Sequence, residues 1–132
     1  MDTMVSALVA NKIRPLHYSI DVMFLVNEKY GSINQALDTM GGDGKEAFEV
    51  LRVLATAMVN DAELCRRAEG YPQGEMISED MISVRMSPAV YLALKLAVSQ
   101  AVNLGYKQEL ADENAELDLG LLELRKKEEA GE

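Results

Sequence analysis

The chain has 132 residues, of which 48% are hydrophobic and 27% charged, and a net charge of −9. This describes one globular core with no 18-residue apolar run to span a membrane. The acidic balance disfavours nucleic-acid binding, which needs Lys and Arg against phosphates. The single cysteine, Cys65, excludes an internal disulfide. The N-terminus lacks the basic-then-apolar pattern of a leader, so a cytoplasmic location is expected.

Residues 5–18, VSALVANKIRPLHY, admit two readings. One is a short hairpin turning at Asn11-Lys12, in which Pro15 confines the second run to an edge strand. The other is a helical Met4–Val9. Next comes SIDVMFLVNEKYGSINQAL, residues 19–37. Ser19 is placed to cap a helix with Asp21 in its first turn, and Val22, Leu25, Val26 and Tyr30 form an apolar stripe. Gly31 suits the left-handed exit from that helix. Ser32 and Gln35 then supply a capping box for a second helix ending near Met40.

Residues 44–59, GKEAFEVLRVLATAMV, are apolar on most sides, which predicts a helix surrounded by the rest of the domain. Asn60-Asp61 is read as an interruption, followed by a polar helix over 61–69 and a stop at Gly70. Ser78 caps a short helix with Glu79 and Asp80 in its first turn. Ser87-Pro88 starts the last one, expected over 88–104 and ended by Gly105. The expected fold is therefore all-α. It is a compact bundle of about five helices over residues 1–106, with the N-terminal hairpin as an open addition.

Residues 107–132 form an acidic, leucine-containing tail. They hold nine acids and four bases, a balance of −5 against −4 for residues 1–106. Leu110, Leu117 and Leu124 recur every seven residues, and Leu121 joins Leu117 at helical spacing. Leu117, Leu119 and Leu121 also alternate as on a strand, and Gly120 weakens a helix by about 1 kcal/mol relative to Ala. Such conflict predicts a segment without fixed structure until a partner orders it. Leu110, Leu117, Leu119, Leu121, Leu122 and Leu124 are the candidate partner-binding residues. Docking on the domain's own surface, or on a second copy in a homo-oligomer, explains them equally well.

No catalytic, cofactor or metal residue is expected. An EF-hand register with Asp43 at the fifth position puts Val50 at the twelfth, where the bidentate glutamate belongs. No G-x-x-x-x-G-K-[ST] phosphate cradle occurs. His17, the only histidine, reads as a packing or surface residue. Arg66 and Arg67 beside Cys65 could lower its thiol pKa, but no histidine is near in sequence to act as its base. The paired acids Glu79-Asp80, Asp112-Glu113 and Glu128-Glu129 are accounted for by capping and solvation.

The runs FLVNEKYGSINQAL, GKEAFEVLRVLATAMVNDAEL, SPAVYLALKLAV and ELDLGLLELRKKEE resemble the tail assembly chaperones of long-tailed bacteriophages and prophages, over most of residues 7–127. The resemblance implies a non-enzymatic protein of the bacterial host's cytoplasm. It would bind the tape-measure protein and assist assembly of the tail-tube protein around it, without nucleic acid, membrane or cofactor. Two other classes compete: a small acidic regulatory or inhibitor protein, and a structural subunit of the virion tail.

Overall fold

The computed structural model describes residues 4–117, with side chains described through residue 107. Strands β1 (Val5–Val9) and β2 (Lys12–Leu16) pair antiparallel, Val5 opposite Leu16 and Val9 opposite Lys12. The hairpin reading is the one the structure adopts, but its turn is Ala10-Asn11, one residue earlier than expected, with φ of 51° and 70°. Two consecutive positive φ values match the twist of the strands. This register turns Val9 and Leu16 into the core. It also makes Ser6–Pro15 a wide, non-hydrogen-bonded pair, so proline's missing N–H costs the ladder nothing.

Helices α1 (Ile20–Tyr30) and α2 (Ile33–Met40) follow as expected. Gly31 sits at φ 92° and its N–H donates to the Asn27 carbonyl. Ser32 Oγ accepts from the Gln35 N–H at 3.1 Å. Ser19 occupies the N-cap position of α1, although its hydroxyl makes no cap bond. Helix α3 (Lys45–Ala68) runs 24 residues without a break. The interruption expected at Asn60-Asp61 is corrected, because the Asn60 amide faces outward. It donates to the Ile77 carbonyl and accepts from the Ile77 N–H, both at 2.9 Å. An Asn side chain engaged by a neighbouring loop does not compete for its own helix backbone.

The segment after Ser78 forms a single 3-10 turn, Glu79–Met81, rather than a helix. Helix α4 spans Pro88–Leu117, capped by Ser87 Oγ on the Val90 N–H at 3.2 Å. Two expectations therefore change. The fold has four α-helices among the described residues instead of about five, and it is mostly helical with a two-stranded sheet rather than all-α. Gly105 does not end α4. A Cβ there would lie 2.7 Å from the Tyr18 carbonyl oxygen, so this glycine permits close packing instead of a turn. Tyr106 completes the contact, its ring 5.5 Å from that of Tyr18. Beyond it the Leu-, Glu- and Ala-rich residues 107–117 have good helix propensity and extend α4 across the expected domain boundary, where an unstructured tail was expected.

Helix α3 is the centre, touched by β2, α1, α2, α4 and the 3-10 turn. Leu51, Leu54, Ala55 and Met58 are fully buried, against Val26 of α1, Leu94 and Val98 of α4, and Leu16. Polar clamps close the loop between α3 and the 3-10 turn. Glu63 accepts from Arg66 at 2.7 Å, from Arg67 at 2.9 Å and from the Gly74 N–H. Arg14, buried beneath the hairpin turn, donates to the Val9 carbonyl at 2.8 Å and to Glu75 at 3.2 Å.

Two predictions follow from this packing. An idle glycine within a helix gains about 1 kcal/mol on becoming alanine, whereas crowding of Tyr18 makes Gly105→Ala a loss of about 1–3 kcal/mol, measurable by denaturant unfolding. The Gly74 N–H, then Arg67 and Arg66, hold the Glu63 carboxyl down to about 2, against 4.5 ordinarily. A lowered carboxyl contributes stability that is present above 4.5 and lost as pH falls toward 2. Glu63→Gln should flatten that acid limb in a pH series of unfolding curves.

Candidate functional site

Helix α4 begins PAVYLALKLAVSQAVNL, with Lys95 as its only charge before Gly105. A segment so apolar has more hydrophobic faces than one core can cover. Leu94, Ala97, Val98, Ala101 and Val102 turn inward and are buried. Leu92 and Leu96, one turn apart on the opposite side, are 62% and 61% exposed. Ala89 and Ala93 lie between them and the hairpin, also exposed. Lys95 is directed away, its Nζ donating to the Gly42 carbonyl at 3.0 Å.

Strand β1 supplies the facing wall. Its inner residues, Val5, Ala7 and Val9, pack toward the core, and its outer residue Leu8 is 40% exposed. Between β1 and α4 lies a groove of about 450 Å³. Its walls are Ala7, Leu8, Ala89, Ala93 and Leu96, with Ser6 and Gln100 as its polar side chains and no charged residue in its lining. Single exposed leucines are ordinary on a protein surface, but a contiguous apolar groove marks a binding surface.

A second cluster lies at the other side of the hairpin. The His17 N–H donates to the Met58 carbonyl at 3.1 Å, which ties the β2–α1 connection to α3. The ring then meets Asp61 and Cys65, one helical turn apart on α3. His17 Nδ1 is 2.6 Å from Asp61 Oδ2 and 3.4 Å from Cys65 Sγ. The hydrogen bond with Asp61 raises the imidazole pKa above its usual value. Burial, then the Asp61 and Glu69 carboxylates, push the Cys65 thiol up. The adjacent arginines do not oppose this, since both are engaged by Glu63. Asp61 and Cys65 address the same ring nitrogen. A nucleophile–base–orienter relay needs the two nitrogens separately and a lowered thiol pKa, so this geometry is not that of an activated thiol.

Of the residues singled out by sequence, Leu119, Leu121, Leu122 and Leu124 lie outside the described residues. Leu110 and Leu117 fall on the last turns of α4, beyond the described side chains. The structure adds two features that sequence reasoning missed. The exposed Leu92–Leu96 face was visible as surplus apolarity in residues 88–104. The meeting of His17 with Cys65, 48 positions apart, left no local signal. Comparison with protein-family models, with curated proteins and with solved structures yields no match.

If the rim of the groove is surface rather than core, its exposed leucines, Leu8 and Leu96, should be nearly free to change. Leu96→Gln should shift stability by no more than about 0.5 kcal/mol. Leu94→Ala, at a site 1% exposed, should cost about 2–5 kcal/mol. Paired urea denaturation curves measure the contrast.

Proposed function

We propose that this protein is a non-enzymatic tail assembly chaperone of a phage or prophage. It binds apolar faces of the tape-measure protein and keeps them soluble while tail-tube subunits assemble around that protein. One observation carries the reading: the uncharged groove between β1 and α4, edged by Leu8 and Leu96, with Leu92 exposed one turn before Leu96. A chaperone for an amphipathic helix needs apolar surface that water tolerates. A helix-lined groove of this kind accepts a partner helix through anchors at i, i+3 and i+4. The net charge of −9 supports the same role, because it keeps a protein with an open apolar face from self-precipitating.

The resemblance described above names the client class, and the groove supplies a surface on the folded part of the chain that suits it. No helix among the described residues is long and apolar enough to cross a membrane.

Full burial of a leucine side chain is worth roughly 1.5–3 kcal/mol, and Leu92 and Leu96 retain more than half of their exposure for a partner. The double variant Leu92→Glu/Leu96→Glu should therefore weaken capture of tape-measure segments at least about tenfold, with circular dichroism unchanged. Capture as strong as that of the parent chain would contradict the groove. Loss of capture only on truncation after Leu117 would move the client surface to the acidic segment.

A further inference from the structure

We propose that His17, Asp61 and Cys65 form a binding site for a divalent cation of the zinc class. The proposal is independent of the chaperone reading and stands on how the β2–α1 connection and one face of α3 converge. Asp61 and Cys65 share one face of α3 at i and i+4 spacing. His17 is brought over that face by its backbone bond to Met58. One donor atom from each lies within 4.8 Å of the others.

The donor set is an imidazole nitrogen, a carboxylate oxygen and a thiol sulfur. Zinc takes all three, at about 2.0–2.3 Å. Tetrahedral bonds of those lengths place neighbouring donors roughly 3.3–3.6 Å apart. The separation of His17 Nδ1 and Cys65 Sγ, 3.4 Å, already has that value. The 2.6 Å gap between Nδ1 and Asp61 Oδ2 is set by a hydrogen bond. It has to open by roughly 0.7 Å to reach that spacing, which a small rotation of the aspartate provides.

Binding exchanges protons for the metal. The Cys65 thiol gives up its proton to solvent. His17 releases the Nδ1 proton to solvent when it starts as imidazolium, or moves it to Nε2 with no net release when it starts neutral, so that the ion meets a thiolate and a neutral imidazole. The surroundings favour positive charge: Asp61 and Glu69 both act on the thiol, while Arg66 and Arg67 are held elsewhere by Glu63. Access is open, because the His17 side chain is 30% exposed and Cys65 is half-buried. Three protein ligands leave the fourth position to water or to a group from a partner.

A purely structural hydrogen-bonded cluster makes a different forecast, and cobalt(II) separates the two. The chain holds one cysteine and one histidine, so thiolate-to-cobalt absorption reports on Cys65 alone. Chelator-treated full-length protein titrated with Co²⁺ should develop that near-ultraviolet band and tetrahedral visible bands, saturating at one ion per chain. Zinc should displace the cobalt and raise Tm by several degrees. Cys65→Ser should abolish the band. His17→Ala and Asp61→Asn should each weaken cobalt binding at least tenfold, with the metal-free proteins checked for native circular dichroism. Absence of the band at tenfold excess cobalt would overturn the proposal. So would an unchanged affinity in a folded His17→Ala or Asp61→Asn protein, which would reduce the site to capture by a single thiol.

Discussion

Everything in this fold depends on surrounding α3. Its central turns bury Leu51, Leu54, Ala55 and Met58 along one stripe, and Val50, Val53 and Val59 on the flanks and far side of it. A helix apolar on most sides is unstable in water until neighbours cover it. Strand β2, α1, α2 and α4 share that task. The sharing has consequences at both ends of the account. Bringing the β2–α1 connection against α3 puts His17 over Asp61 and Cys65. Laying α4 along α3 uses only one side of α4, so its second apolar side is left facing the groove beside β1.

The groove and the histidine cluster are thus by-products of one packing solution, with different chemistry. The groove is large, uncharged and built from flexible leucines over alanines, which suits recognition of apolar shape. The cluster is small and polar, and its donors are positioned by a backbone hydrogen bond and a helical turn. Polar clamps of the same kind recur around α3. Asn60 on Ile77, Glu63 on Gly74 and Arg14 on Glu75 all fasten the loop of residues 71–78, where few apolar side chains are available to do so.

Much of this was legible in the sequence where local chemistry decides structure. The caps at Ser32 and Ser87, the left-handed Gly31 and the central position of α3 follow from residue type and spacing alone. Errors arose where a residue's role is set by something distant. Gly105 looked like a helix stop, yet it serves the approach of Tyr18. Asn60 looked like a break, yet its amide is occupied by Ile77. The hairpin turn moved to Ala10-Asn11 because burial of Val9 and Leu16 outweighs the strain of an alanine at positive φ. The groove was partly legible as excess apolarity in α4, but the strand that forms its other wall is 80 or more positions away. The histidine cluster depends wholly on tertiary contact.

The central claim is that the β1–α4 groove receives an amphipathic helix of the tape-measure protein. Amide hydrogen exchange of the full-length protein, with and without a saturating tape-measure fragment, tests it most directly. The account predicts added protection in β1 and over residues 89–100. Unchanged exchange in both segments, with protection confined to residues 107–132 or to other faces of the domain, would contradict it.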